Sequence, residues 1–441
     1  VTSKKTRPSK IRWVMVSLAF IAIATNYIDR ANLSVALPYM DKELHISAGI
    51  TGLILGAFFW TYTAFQVPAG HFVDKLGARV TFAGAVMWWS IFTAATVLAR
   101  GTASLFGFRL LLGVGEAAAF PAATKMVERW FPARERGLAS GIYDSGARGG
   151  TIVAIPLVTA IIAALGWRAS FLITAAIGML WVVAWMIFAK EFPEQHKLVN
   201  AQEVAHIRED DDQGDPGDAN RIPWKSLLRS RTVWGLGLGF ACQAYVIYFF
   251  ITWFPSYLVD ARGFDLLELG IFGAIPGLAG FVGSWFGGWF SDKLAASRYT
   301  LNTARKSSIV IGMALSSLVG LAGVAPHAWM ALTLLSISFF GVSFATASIL
   351  AVPADISPKG EGSVTGSVAG FQNAVSNLAG IVSPAAIGFL KDATGSFTPG
   401  LLSAAAVALG GCAVYIFMVG RIEPGSLRLN SQPTDVDHHL A

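Results

Sequence analysis

The sequence predicts an all-α integral membrane protein of twelve transmembrane helices in two related six-helix bundles. Three observations predict it: an apolar composition, a count of long apolar segments, and a motif that recurs between the halves. Hydrophobic residues make up 54% and charged residues 14% of the 441 residues, whereas a soluble domain is about 25% charged. Lipid is therefore the solvent to which the chain is matched. Crossing about 30 Å of hydrocarbon takes about 20 mostly apolar residues, and lipid cannot satisfy free backbone N–H and C=O groups, so each crossing must be helical. By that rule spans fall near 12–36, 48–70, 79–99, 102–126, 138–164, 168–189, 233–258, 267–290, 306–325, 328–350, 363–390 and 399–420.

The first span follows Lys4, Lys5, Arg7, Lys10 and Arg12, and Ala22-Ile23-Ala24 has the small-residue pattern of a signal-peptidase site. A secreted product is set aside, since no soluble domain follows and cleavage leaves eleven spans. The two cysteines, Cys242 and Cys412, fall inside predicted helices, which excludes a disulfide framework and a CxxC metal site. No catalytic residue, metal or organic cofactor is expected.

Orientation follows from the basic residues. With the N-terminus in the cytoplasm, 25 of the 33 Lys and Arg residues fall on that side. Lys42, Arg100, Arg168, Arg262 and Lys391 fall outside, and Arg30, Arg109 and Arg148 lie within spans. This asymmetry places both termini in the cytoplasm, in a multi-pass protein of the bacterial inner membrane. The net charge of +6 then needs no nucleic acid to explain it. The chain divides into a cytoplasmic N-terminus (1–11), a first bundle (12–189), a cytoplasmic linker (190–232), a second bundle (233–420) and a cytoplasmic tail (421–441). The linker carries Glu209-Asp210-Asp211-Asp212 beside Gly214, Pro216 and Gly217 and is expected to be solvated.

The halves share a pattern. Gly70-x-x-x-Asp74-Lys75-x-Gly77-x-Arg79 follows the second span, and Gly288-x-x-x-Asp292-Lys293 follows the eighth. A second echo pairs Arg136-Gly137-x-x-x-Gly141 with Glu361-Gly362-x-x-x-Gly366. Duplicated bundles with a midplane site between them are a common transporter architecture. Glycine permits close helix approach, and an Asp near a helix end can pair with a basic residue on a neighbouring helix. The expected role of the motif is a cytoplasmic ion-pair latch, made and broken as the halves rock.

The loop at 70–79 resembles the signature of the major facilitator superfamily. Two further motifs, Asn26-Tyr27-Ile28-Asp29-Arg30-Ala31-Asn32-Leu33-Ser34 and Arg109-Leu110-Leu111-Leu112-Gly113-Val114-Gly115-Glu116-Ala117, look like its anion:cation symporter family. That group includes bacterial galactonate, hexuronate, glucarate and tartrate carriers and the sialin-related organic-anion carriers. The resemblance implies the major facilitator fold and an organic-anion substrate.

A charge at a helix centre costs about 2.5–3.5 kcal/mol on insertion scales, so it needs a partner or a cavity. Asp29, Arg30, Arg109, Glu116, Asp144 and Arg148 all fall inside spans. Asp29 and Arg30 point about 100° apart and address different partners, while Arg109 and Glu116 stand two turns apart on one face, stacked and not paired. A guanidinium matches a carboxylate with two parallel hydrogen bonds. Arg30 and Arg109 are therefore the expected anchors for an organic anion, with Asp29 and Glu116 as proton carriers. A cross-helix ion pair between Arg30 and an acid on the fourth span is the structural alternative. With both acids ionised, these four residues sum to zero; a bound monoanion and one proton restore zero.

Asp144 and Arg148, spaced i and i+4, suit an intrahelical ion pair; if Arg148 faces the cavity it meets a second carboxylate and favours diacids. Tyr62, Gln66, Tyr245, Gln372, Asn373 and Asn377 are the neutral candidates for a hydroxylated substrate, Tyr62 and Asn377 on family resemblance. The expected activity is uptake of a small organic anion, foremost a sugar acid (aldonate, hexuronate or aldarate), by proton-coupled symport and alternating access. H⁺ is the expected driving ion, with Na⁺ kept open, and the carrier is expected to be monomeric and independent of ATP. The alternatives are another carboxylate such as tartrate or an aromatic acid, then a proton-coupled drug antiporter, then a channel. No nucleotide-binding loop or nucleophile elbow marks an enzyme.

Overall fold

The computed structural model describes residues 8–44, 46–208, 228–297, 299–357, 365–423 and 426. Twelve helices are long and apolar enough to cross a membrane. Spans one to six are Ile11–Met40, Ala48–Gln66, Ala78–Leu98, Thr102–Trp130, Leu138–Leu165 and Trp167–Phe188. Spans seven to twelve are Arg231–Thr252, Leu266–Ala295, Leu301–Val324, Ala328–Ile356, Val368–Thr394 and Thr398–Met418. Span four runs to Trp130 and span eight to Ala295, beyond the 126 and 290 expected from hydropathy. A helix stops where its backbone finds other partners, not where its side chains turn polar.

Proline breaks two spans. Span four is helical over Thr102–Glu116 and again over Ala119–Trp130. Pro121, inside the second piece, offers no N–H to the carbonyl of Ala117 and crowds it, so the helix yields there and Glu116 ends the first piece. Span eight divides in the same way. A capping box of Asp265 and Glu268 starts Leu266–Phe272, and Pro276, four residues after Phe272, opens Ile275–Ala295.

Spans one and five pack closely because Gly146 and Gly150 leave room for backbone: a Cβ on Gly150 would collide with the carbonyl of Ala24. The two halves meet along two seams. Spans two and eleven touch where a side chain on Gly52 would collide with the carbonyl of Pro384. Asp392 of span eleven accepts from the N–H groups of Ala48 (2.8 Å) and Gly49 (2.6 Å), capping span two from the opposite half. Spans five and eight touch at Ile152, Ile155 and Thr159 against Gly277, Gly273 and Gly270.

Both seams lie at the end of the bundle away from the termini, and both faces open toward the termini. On span five, Thr159 is 3% and Ile155 8% exposed, while the side chains of Arg148 and Asp144 are 40% and 51% exposed. On span eleven Asn377 is buried, and Asn373, one turn nearer the termini, is exposed.

One expectation is met in the pairing of the repeated motif, and two need correction. Asp74 pairs with Lys125 of span four at 3.7 Å and Asp292 with Arg305 of span nine at 3.0 Å, each within its own half. Each Asp thus pairs with a basic residue on a neighbouring helix, as the motif leads one to expect, and both pairs lie within one half. Gly70 also meets no neighbour across its Cβ direction, whereas Gly77 turns the chain at φ 86°. Lys75 lies in the last turn of that helix, Arg79 donates to the carbonyl of Met186 at 2.7 Å, and Lys293 sits 4.6 Å from the ring centre of Trp289. Gly288 has a methyl group, that of Ala347, at ordinary contact distance.

The first correction concerns the linker. Residues Ala201–Arg208 form a helix folded onto the first bundle, not a solvated stretch. Glu203 is 0% exposed and accepts from the N–H groups of Ile11 and Arg12, both at 3.2 Å, and from Arg12 Nη1 at 3.1 Å. Arg12 Nε also reaches Glu135 at 3.0 Å, and Glu135 meets His206 at 2.8 Å. This clasp caps the free N–H groups of span one and ties them to the start of span five. The acidic run 209–212, Glu361, Gly362 and residues 427–441 lie outside the described residues. The second correction concerns two neutral site candidates, Tyr245 and Gln372.

Candidate substrate and coupling site

The site is built from spans one, two and four. Arg30 Nε donates to Glu116 Oε2 at 2.6 Å, with the Arg30 side chain 7% and the Glu116 side chain 0% exposed. The cross-helix pair of the structural alternative therefore exists. Its geometry leaves chemistry in reserve, because Arg30 Nη2 and Glu116 Oε1 are buried without a hydrogen-bond partner. Three aromatic rings enclose the guanidinium: its Cζ lies 4.8 Å from the ring centre of Tyr27 and 4.7 Å from those of Phe58 and Tyr62. Such faces attract a cation without supplying an anion, so they hold Arg30 in place yet leave its fork available to a carboxylate.

Arg109 lies 5.1 Å from the ring of Phe58 and is 5% exposed, with its Nε unpartnered. It makes no ion pair with Glu116, as the two-turn separation requires. Asp29 is 2% exposed and neither carboxylate oxygen has a hydrogen-bond partner. It points away from Arg30, toward span six, within electrostatic reach of Glu116 and Arg109. Asn26, 0% exposed with both side-chain polar atoms unpartnered, completes the cluster. Buried polar atoms are almost always bonded, so this concentration of free ones is the candidate site.

The second half contributes Tyr248 and Asn377. Tyr248 donates to Asn377 Oδ1 at 3.3 Å, leaving Asn377 Nδ2 unpartnered, and its ring packs 4.4 Å from that of Phe59 across the seam. Tyr245, three residues away, points elsewhere, its hydroxyl bonded to Ser403 of span twelve at 3.1 Å. Gln372 donates to the carbonyl of Ile349 in span ten at 3.2 Å and is 1% exposed. Both are withdrawn from the site, because neighbouring helices of their own half consume their polar groups. Gln66 is half-buried on span two, a turn beyond Tyr62. Tyr27, Phe58, Asn26 and Tyr248 join the candidates. Asn26 and Tyr27 lie inside the motif around Asp29, and Phe58 sits one turn before Tyr62, so helical spacing was the available signal.

A model of the Major Facilitator Superfamily matches residues 19–384. The chain belongs to this superfamily. Its relatives include a "Probable galactarate/D-glucarate transporter" of Bacillus subtilis (strain 168), 33% identical over 97% of this chain and 96% of the relative. The D-galactonate transporter of Escherichia coli O6:H1 is 35% identical over 95% of this chain and 97% of its own length. A "Probable sulfoacetate transporter" of Cupriavidus necator is 36% identical, with 91% of each chain covered. Among solved structures, a bacterial homolog to the human lysosomal transporter Spinster, in an inward-facing and occupied conformation, superposes with a TM-score of 0.76. That structure covers 93% of this chain and 97% of its own at 19% identity, which speaks for the fold. This member of the superfamily is a multi-pass inner-membrane transporter, not an enzyme.

Proposed function

We propose that this chain takes up a sugar acid together with H⁺ by alternating access, and that the Arg30–Glu116 pair is the coupling element. The observation that carries the reading is the buried 2.6 Å contact with one free nitrogen on the arginine and one free oxygen on the glutamate. An arriving carboxylate is the better partner for the guanidinium fork, since it offers two oxygens side by side. It displaces Glu116. Removing one partner of a buried pair costs about 3–5 kcal/mol, a cost that a proton on Glu116 cancels. Asp29, buried without an ion-pair partner, is the second group able to hold a proton. Substrate and H⁺ therefore bind cooperatively, and the coupling is reciprocal.

The empty set of Asp29, Arg30, Arg109 and Glu116 is neutral, and the set loaded with a monoanion and one proton is neutral again. Either form can change orientation without carrying net charge through the membrane; the anion alone cannot. Tyr62, Tyr248 and Asn377 supply neutral donors and acceptors for hydroxyl groups, and the relatives named for galactarate, D-glucarate and D-galactonate support that substrate class. With the termini in the cytoplasm, the seams close the outer end, and the described conformation opens inward.

Purified protein in liposomes, given an acid exterior, is expected to accumulate at least one acid from a panel of aldonates, uronates, aldarates and tartrate. No uptake above empty liposomes across that panel overturns the substrate class.

A further inference from the structure

Span five turns one face toward the second half. At Ile152, Ile155 and Thr159 that face packs on span eight. Arg148 and Asp144 continue the same face, one and two turns nearer the termini, at the helical spacing of i−4 and i−8 from Ile152. The opposite face, with Gly146 and Gly150, lies against span one. A face that begins as an inter-half seam does not become a lipid face within two turns. The half-exposed side chains of Arg148 and Asp144 therefore border the opening between the halves. Asp144 also lies within electrostatic reach of Tyr27, whose ring is 4.8 Å from the Arg30 guanidinium. Arg30 of span one and Asp144, the partner of Arg148 on span five, thus both lie near Tyr27.

We infer that Arg148 and Asp144 form a second carboxylate station, which selects dicarboxylates over monocarboxylates and brings in a second proton with each diacid. This deepens the proposed uptake of sugar acids and rests on it.

The pair is made to exchange. Its N···O distance is 3.6 Å and both side chains are well exposed, and such pairs contribute about 0–1 kcal/mol. Releasing Arg148 to a substrate carboxylate costs little. The station repeats the logic of Arg30 and Glu116: an arginine held by an acid until an external carboxylate replaces it. The displaced Asp144 is left beside the incoming carboxylate, and like charge at close range favours a proton on it. A dianion displaces both acids and gains two protons, so the six-residue set stays neutral when empty and when loaded. A monoanion engages Arg30 alone and takes one proton, leaving the Asp144–Arg148 pair closed.

Galactonate and galactarate test this directly, since they share a six-carbon skeleton and differ in whether C6 is a hydroxymethyl or a carboxylate. In liposomes holding the full chain, wild type is expected to show a lower KM for galactarate, two H⁺ per galactarate and one per galactonate. Arg148→Gln is expected to raise the ratio of the galactarate KM to the galactonate KM by at least about tenfold, the scale of a lost hydrogen-bonded charge contact. Asp144→Asn keeps the arginine, and the count for galactarate is expected to fall from two to one. An unchanged KM ratio in Arg148→Gln, or one H⁺ per galactarate in wild type, overturns the inference. Galactonate uptake without galactarate uptake in wild type overturns the second station alone; uptake of neither acid overturns it together with the function on which it rests.

Discussion

The two halves share a fold and a repeated loop, but they differ in what they bury. Among the described residues, the buried charged side chains (Arg12, Asp29, Arg30, Arg109, Glu116 and Glu203) and the buried His196 all precede the second bundle. The second bundle buries Ser, Thr, Gln and Asn instead, and many of these are bonded within it: Ser338 to the carbonyl of Ser316 at 2.7 Å, Ser383 to that of Tyr245 at 2.8 Å. A neutral polar group bonded to a neighbouring carbonyl is finished chemistry. A buried charge with a free lone pair or N–H is poised to change partner. In the proposed mechanism the first half therefore anchors substrate and handles protons, and the second supplies closure and neutral contacts.

The largest expected effect comes from breaking the most buried charge of the first half outside the membrane. Glu203→Ala leaves Arg12 and the first N–H groups of span one without their acceptor, and a broken buried pair costs about 3–5 kcal/mol. A clear drop in thermal stability in detergent is the expected result, with substrate affinity in the surviving folded protein little changed. Burial pushes the neighbouring Glu135 carboxyl up, but hydrogen bonds from His206 and Arg12 outweigh it and hold it below its ordinary value. Its contribution is therefore present above the unfolded carboxylate range and lost as pH falls through the lowered folded value, so the clasp stays closed at neutral pH.

Next in size is Arg30→Lys. It keeps the charge and loses the planar fork, and is expected to weaken binding of every transported acid by about 10- to 100-fold. A tenfold smaller loss than that range allows would show that charge alone suffices. The counterpart in the second half, Asn377→Ala, removes a neutral partner of Tyr248 and is expected to cost about 2- to 10-fold in KM. If Asn377→Ala proved as costly as Arg30→Lys, the division of labour between the halves would fail. Smallest is Asp292→Asn. Its carboxylate is 74% exposed beside Arg305, so stability should change by no more than about 1 kcal/mol; a larger loss would restore a structural role for the repeated motif in this conformation.

The fold was legible because a membrane leaves one secondary structure to choose, and apolar runs of helical length announce it. Asp29, Arg30, Arg109 and Glu116 were legible for a related reason: charge inside such a run has few explanations. Neutral polar residues were not. Tyr245 and Tyr248 look alike in the sequence, and three residues of helix turn one toward span twelve and the other toward the seam. Gln372 and Asn373 are adjacent, yet one is buried against span ten and the other exposed. Which face of a helix meets its own bundle depends on crossing geometry that one helix does not encode. The helix Ala201–Arg208 escaped for the opposite reason: it is short and polar, and it folds because Glu203 meets an uncapped helix start from the far end of the half.

In the proposed mechanism Glu116 yields Arg30 to the substrate and takes a proton in return. Glu116→Gln fixes that side chain in its neutral form, and reconstituted protein allows two rates to be compared for the same acid. Exchange between labelled internal and unlabelled external substrate is expected to survive, while accumulation driven by a pH gradient is expected to be lost. Equal loss of both would make Glu116 a structural partner of Arg30, and undiminished pH-driven accumulation would move the coupled proton to another residue.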